Sequence, residues 1–295
     1  MKNSIFKIKT TIICIATAFA VFSCQSIEQS ETKVAVAKIE HPDAEKASYK
    51  NAPEVLKKWV DARAGTGKAV HWIADGGVYE YPSGKKLFGM IGFDSSTIIW
   101  PDEEDGKVTH LTRKTFAYTD PETGEVLKEY NGQKVEPIAY PYQMITYRFE
   151  NDRIYGDVEQ GVGERVKVIE AKDGIPYRKM GDTYIYTASV FLNFPLPTGT
   201  QYQAWENYDF FIHPEGSVDE PHQMAWQRYG QLPRWAGGGP CIIHLHSWRV
   251  ESHDEFPAEL LAWAKEDKPQ WLNPPADIAE VRALQNGEAG ASWGQ

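Results

Sequence analysis

Between residues 68 and 250 the chain alternates short runs of β-branched, apolar and aromatic residues with breaks rich in Gly, Pro, Asp and Asn. The runs cover 69–73, 86–93, 97–100, 110–118, 144–149, 165–171, 183–192, 201–212, 223–229 and 241–250. Turn signals punctuate them at Asp75-Gly76-Gly77, Ser83-Gly84, Asn131-Gly132 and Asp173-Gly174. About ten strands at this spacing predict an antiparallel barrel or sandwich. Helical segments do not alternate with the runs, which argues against a doubly wound parallel sheet. A 3.6-residue pattern flanks the β region on both sides. On the N-terminal side a helix is expected over 51–63, with Asn51 as cap, Pro53 in the first turn and Val55, Leu56, Trp59 and Val60 as the buried stripe. Gly65 and Gly67 end it. On the C-terminal side Asp254 is expected to cap a helix over 255–265, with Leu260, Leu261 and Ala264 inward and Pro269 as the stop. A second short helix is expected over 275–284, ended by Asn286-Gly287. The fold class is thus mainly β, with one N-terminal and two short C-terminal helices, in a single domain over 51–288. Residues 289–295 read as a loose tail.

The first residues do not fit this pattern. Lys2, Lys7 and Lys9 precede an apolar stretch over 10–22, which is too short to span a bilayer as a helix, and Ser23-Cys24 follows. Residues 1–23 therefore read as an export signal. Val21-Phe22-Ser23-Cys24 resembles a bacterial lipobox, with Cys24 the lipidated first residue of the mature chain. Residues 24–50 are poor in large apolar side chains and read as a flexible tether to the lipid. The expected location is a bacterial cell envelope, anchored to a membrane and facing the periplasm or the surface.

Composition narrows the classes. The 295 residues carry 31 Lys+Arg against 41 Asp+Glu, a net charge of −10. Without residues 1–23 the remaining 272 residues carry −13. No basic excess points to nucleic acid. Of three cysteines, Cys14 leaves with the signal and Cys24 takes lipid. Cys241 is left as a small hydrophobe in an apolar run. Stability has to come from a core, and the chain is long enough to bury one.

Strong catalytic motifs are missing: the sequence has no P-loop, no H-E-x-x-H and no G-x-S-x-G. No cofactor is implied and no catalytic role is assigned. His244-Leu245-His246 is the most suggestive element. On a strand His244, His246 and Trp248 share one face while Ile243 and Leu245 share the other. Such a His pair can ligate a metal, but a third ligand is needed, from His71, His213, His222 or His253, and spacing fixes none of them. No tightly held metal is therefore expected. The ten Trp and 15 Tyr form a second clue. Trp72, Trp100, Trp205, Trp226, Trp235 and Trp248 lie in or beside expected strands, where they either fill a core or line a cavity for a sugar-like or aromatic ligand. A third is Trp226-Gln-Arg228, where Arg228 can meet a ligand carboxylate or a structural acid. If the runs over 223–229 and 241–250 pair as a hairpin, Trp226, Arg228, His244, His246 and Trp248 become candidates for one concave ligand site. Asp102-Glu-Glu-Asp105 reads as a solvated loop.

Four segments in order carry a resemblance: Thr119-Asp-Pro-Glu-Thr-Gly-Glu-Val-Leu127, Trp226-x-Arg228-x4-Pro233-x-Trp235, Asp254-Glu-Phe-Pro257 and Pro274-Pro275. Together, over roughly 53–275, they resemble the bacterial domain of unknown function 1838 family. The chain departs from that pattern where Thr119 stands before Asp120-Pro121, where Tyr130-Asn131-Gly132 replaces Trp-x-Asn-Pro, and in lacking a Met soon after Trp235, so it looks like a divergent member. The resemblance implies export and no particular activity. Physically, the segment at Asp120 reads as a hairpin turn.

Three functions stay open. The first is a lipid-anchored protein that binds a small, partly apolar ligand in an aromatic-lined cavity. The second is an enzyme using the same cavity, metal-assisted through His244 and His246. The third is a structural envelope lipoprotein without a ligand. The partners expected are a small molecule and a membrane reached through the N-terminal lipid.

Overall fold

The computed structural model describes residues 53–65, 68–99, 108–162, 165–170, 174–195, 201–214 and 220–287. The expected signal, the tether, Asn51, Gly67, Trp100, the acidic loop at 102–105 and the tail lie outside the described residues. Helix α1 (Glu54–Ala64) is followed by β1 (Val70–Glu80), β2 (Lys86–Ile99) and β3 (Val108–Thr119). A small hairpin, β4 (Glu129–Tyr130) and β5 (Gln133–Lys134), precedes β6 (Ile138–Glu150), β7 (Arg153–Val162) and β8 (Arg165–Glu170). Then come β9 (Tyr177–Met180), β10 (Thr183–Pro195), β11 (Gln201–Ile212), β12 (Gln223–Gln231) and β13 (Pro240–Val250). Helices α2 (Ala258–Asp267) and α3 (Ile278–Gln285) end the described chain.

Eleven strands form one sheet in the order β8-β7-β6-β3-β2-β1-β13-β12-β11-β10-β9, and every pairing is antiparallel. The sheet rolls into a nearly closed barrel, which decides between the two architectures left open by the sequence. Where the two ends of the sheet meet, the segment 174–176 bridges them. Ile175 exchanges backbone hydrogen bonds with Ile154 on β7 (2.6 and 3.4 Å), and the Thr187 N–H on β10 donates to the Pro176 carbonyl (3.2 Å).

Helix α1 plugs one end of the barrel. Val55, Leu56, Trp59 and Val60 pack against Trp72, Ile98, Val108, Tyr147, Tyr186 and Phe210, so the stripe read from the sequence is the buried one. Gly65, at φ 74°, ends the helix. A second interior cluster fills the other end, built on Val78, Phe88, Met90, Tyr118, Ile243 and Cys241, with Trp235 packed against it. Helix α2 and the turn at Pro269–Leu272 cover the outer face of β1 to β3 through Leu260, Trp263 and Trp271 against Ile73 and Phe93. Helix α3 covers Leu111, Tyr142 and Met144 with Val281.

Several boundaries differ from the expectation for physical reasons. Asp75-Gly76-Gly77 is not a turn; it lies inside β1, paired with both β2 and β13. A Cβ on Gly76 would stand 2.0 Å from the His244 carbonyl oxygen, so the glycine permits close strand approach. Asp94-Ser95-Ser96 does not separate two strands, because the polar trio is buried in the middle of β2. Asp254 does not cap α2. Ser252 and Glu255 form a capping box on the turn at His253–Glu255, and Pro257 stands just before α2. Asp277 caps α3 by accepting from the Glu280 N–H (2.8 Å). Three expected turns hold: Gly84, at φ 73°, turns the chain between β1 and β2, Asn131 and Gly132 supply the positive φ of the β4–β5 hairpin, and the Asp120 carboxylate accepts from the Glu122 and Thr123 N–H groups before Gly124 at φ 78°; Asp173 lies outside the described residues.

Candidate functional site

Between the two interior clusters the barrel leaves a cavity of about 210 Å³. Strand alternation decides what lines it. Strand β1 contributes Trp72 and Ala74, β2 Asp94, β3 Lys114 and Phe116, β11 Glu206, Tyr208 and Phe210, β12 Met224, Trp226 and Arg228, and β13 Leu245 and Ser247. Helix α1 adds Trp59 and Arg63. Strand β6 contributes both Tyr140 and Gln143, which simple alternation would place on opposite faces. A bulge resolves this: Lys114 pairs with Tyr140 and Thr112 with Gln143, so Pro141 and Tyr142 together face Arg113.

The bulge is fastened from outside the barrel. The Trp271 indole N–H donates to the carbonyls of Lys114 (3.1 Å) and Tyr140 (3.0 Å). Arg113 points outward, donates to the carbonyls of Pro141 (3.0 Å) and Asn273 (3.2 Å), and pairs with Glu280. The C-terminal segment thus fixes the backbone that presents Lys114 and Tyr140 to the interior.

Two ionic groups stand in the cavity wall. In the first, Asp94 accepts from Arg63 (2.7 Å), from Ser96 (2.7 Å) and from Thr112. His110 Nε2 lies 2.9 Å from the Ser96 hydroxyl. Burial works to raise the Asp94 pKa, but Arg63, then Lys114 and His110, outweigh it and hold the carboxyl well below the usual carboxylate range. Burial and the neighbouring Arg63 push His110 well below its ordinary value, so it is neutral at pH 7.

The second group is looser. Glu206 accepts from the Tyr208 hydroxyl (2.5 Å), and Arg228 Nε is 3.6 Å from its other oxygen. Burial raises the Glu206 pKa, offset in part by Tyr208 and Lys114. The Trp226 N–H faces this carboxylate from outside hydrogen-bond geometry and is buried without another partner; the Ser247 hydroxyl is also buried and unpartnered. Among the described residues no ion pair and no side-chain hydrogen bond of Lys114 is found. Its Nζ sits 5.7 Å from the Tyr140 ring centre. Burial lowers its pKa, and Asp94 offsets part of that.

The cavity brings together only part of the set read from the sequence. The hairpin of β12 and β13 forms, and Trp226 and Arg228 line the cavity. His244 and His246 do not join them. In the hairpin Trp226 faces Leu245, while His244 faces Gln227 and His246 faces Ala225, so the histidines stand on the outer surface. Trp248 is also outside, packed against the α2 layer. The alternation along β13 was legible; which face forms the interior was not. Ile243 and Leu245 face inward, and the imidazoles find solvent instead of a hydrated pocket. The two rings are 5.0 Å apart, and no cluster of three or more His, Cys, Asp or Glu able to hold a metal is found among the described residues. His71 and His253 pair with each other on the outer face, and His222 accepts from the His213 backbone N–H.

Arg63, Asp94, Lys114, Glu206 and Tyr208 went unrecognised in the sequence. The signal for them was alternation: His110, Thr112, Lys114 and Phe116 share one face of β3, and Glu206, Tyr208 and Phe210 one face of β11. Polar residues on the same face as buried aromatics mark an interior that is not dry.

Comparison with known proteins gives one positive finding. The family model described as Protein of unknown function (DUF1838) matches residues 67–286, and the chain belongs to that family. No curated protein and no solved structure matches it.

Proposed function

We propose that this member of the DUF1838 family binds a small, partly apolar molecule inside its barrel. The observation that carries the reading is the cavity itself: an interior space of about 210 Å³ walled by Trp59, Trp72, Phe116, Tyr208, Phe210 and Trp226, with polar groups left unpartnered in its wall. Buried polar atoms are nearly always hydrogen-bonded, so a wall that leaves donors free is suited to a guest that satisfies them. A dry packing defect would show neither the charges nor the free donors. Melting curves with neutral monocyclic probes (phenol, benzyl alcohol, cyclohexanol) test this. Millimolar probe is expected to raise the melting temperature, and filling the space by Ala188→Phe is expected to abolish the shift. No shift with any probe would overturn the reading and leave a structural envelope protein as the better account.

A second reading, an enzyme in the same cavity, is favoured by one observation: Glu206, raised by burial, lies beside Tyr208 in a wall that also holds Lys114. In that case the acid–base group is Glu206, and His244 and His246 on the outer surface take no part.

The chain is further read as an envelope lipoprotein, cleaved before Cys24 and lipidated there. The support is the charged, apolar and Ser-Cys order of residues 1–24. No helix among the described residues is long and apolar enough to cross a membrane. Cys24→Ala is expected to move the protein out of the membrane fraction or leave it unprocessed. A wild-type protein wholly in the soluble fraction, with another N-terminus, would reject the anchor.

A further inference from the structure

We infer that the guest is a carboxylate, a small organic acid with a body of about one ring, and that the Lys114 ammonium holds its charged end. This rests on reading the cavity as a ligand site and adds the chemical class of the ligand.

The charge inventory of the cavity leads to it. Three cationic side chains, Arg63, Lys114 and Arg228, face two anionic ones, Asp94 and Glu206. Asp94 is taken by Arg63, and Glu206 by Tyr208 with Arg228 beyond it. Lys114 is left over: it lies within electrostatic range of both carboxylates but in a contact ion pair with neither, and its Nζ stands 5.7 Å from the Tyr140 ring centre. A half-buried ammonium with no contact ion pair favours folding little or opposes it, yet the bulge that presents it is held by the two Trp271 hydrogen bonds. The surplus is local, because the chain as a whole carries a charge of −10.

The remaining free groups agree in kind. The Trp226 indole can only donate, the Lys114 ammonium can only donate, and the Ser247 hydroxyl can donate. A carboxylate only accepts, so it complements all three, whereas an amine or a guanidine complements none of the cations. Size and shape fix the body. An apolar cavity of about 150 Å³ holds benzene, so this one has room for a ring and a short acidic arm. Phe116 and Trp226 stack at 6.2 Å, and Tyr208 adjoins Trp226 at 6.0 Å, giving three neighbouring aromatic rings for such a body to pack on. Gly156, Val158 and Gln160 on β7 and Ala188, Val190 and Leu192 on β10 line the cavity, and β7 and β10 do not pair with each other.

Calorimetric titration of the intact protein with benzoate, 3-phenylpropanoate and their primary amides tests the inference. At least one acid is expected to bind about tenfold or more tightly than its amide, the gain of a charge-assisted hydrogen bond. Lys114→Met is expected to erase the preference and Lys114→Arg to keep most of it, with circular dichroism confirming that both fold. Amides that bind the wild type as tightly as the acids, or a preference that survives Lys114→Met, would overturn it. If both Lys114 variants unfold, acetylation of the folded protein at Lys114, located by mass spectrometry, replaces them: protection by benzoate but not benzamide supports the inference, and equal labelling refutes it. Neutral probes that bind and are excluded by Ala188→Phe, without any acid preference, would leave the cavity reading intact and reject the carboxylate alone. Binding by no probe rejects both.

Discussion

The two ionic clusters in the barrel wall each set an arginine beside a carboxylate and differ in how fully that carboxylate is satisfied. Around Asp94, a guanidinium and two hydroxyls converge on one carboxylate, and His110 extends the network. Around Glu206, a single phenol is in hydrogen-bond contact, Arg228 stands off at 3.6 Å, the Trp226 N–H faces the carboxylate outside hydrogen-bond geometry, and Lys114 makes no contact ion pair. A saturated cluster has nothing left to offer a guest. It ties α1 to β2 and β3 and belongs to the architecture. An unsaturated cluster stores uncompensated charge that a ligand can neutralise. If the proposed function holds, saturation, more than the presence of charge, separates structural polar groups from binding groups here.

The largest expected effect breaks the saturated side. Asp94→Ala leaves Arg63 buried without a counter-charge and is expected to cost about 3–5 kcal/mol, read as a lowered urea midpoint. A loss below about 1 kcal/mol would show that the two clusters do not differ as described.

Acid titration sharpens the contrast. His71 and His222 are lowered to about 4, chiefly by burial, then by His253 and Arg249 respectively. His110 is likewise held well below its ordinary value, chiefly by burial and then by Arg63. A histidine lowered in the folded state binds its proton more readily when unfolded. Its contribution to stability is therefore complete above the unfolded value near 6.5 and is lost as pH falls from there toward about 4. His71 and His222 each contribute on the order of 3 kcal/mol at most. Asp94, lowered in the fold, loses its contribution only below the ordinary carboxylate range near 4. Stability measured against pH is expected to fall first between about 6.5 and 4 and again below about 4. A flat profile down to about pH 4 would contradict the burial of these imidazoles.

On the unsaturated side the sign reverses. Lys114→Met removes an unpaired cation and fills its place with an apolar chain of similar reach, so stability is expected to stay level or rise by about 1–2 kcal/mol. A marked loss would mean that Lys114 has a structural partner. The smallest effect is expected outside the barrel: His244→Ala and His246→Ala should each change stability by no more than about 0.5 kcal/mol and leave probe binding unchanged. Weaker binding in either variant would return the outer pair to the site.

The legibility of this fold followed local chemistry. Strand β11 runs from Gln201 to Ile212 as its alternation indicated, and the α1 stripe is the packed one. Strand β7 was missed because Gly156, Asp157, Glu159 and Gln160 dilute its apolar signal. Asp94-Ser95-Ser96 and Asp75-Gly76-Gly77 were misread for a shared reason: polar or glycine residues inside a strand look like breaks until a partner 31 residues away, as Arg63 is from Asp94, or a neighbouring backbone explains them. The cavity residues were hard to single out because each is common by itself. Closure of the sheet brings Lys114 and Glu206 into one wall, and no local window contains both.

The order of strands in the sheet has one more consequence, for assembly. Strands β1, β2, β3, β6, β7 and β8 form one meander and β9 to β13 another, and they meet where residues 71–80 pair with 241–250. Each meander is built from sequence neighbours, whereas their junction closes a very long loop and is the slow pairing. Asp94, Lys114 and Tyr140 come from the first half, and Glu206, Trp226 and Arg228 from the second. The cavity comes into being only when the halves dock. A molecule that needs both walls arrives too late to help them meet, so it slows unfolding and leaves the rate of folding unchanged.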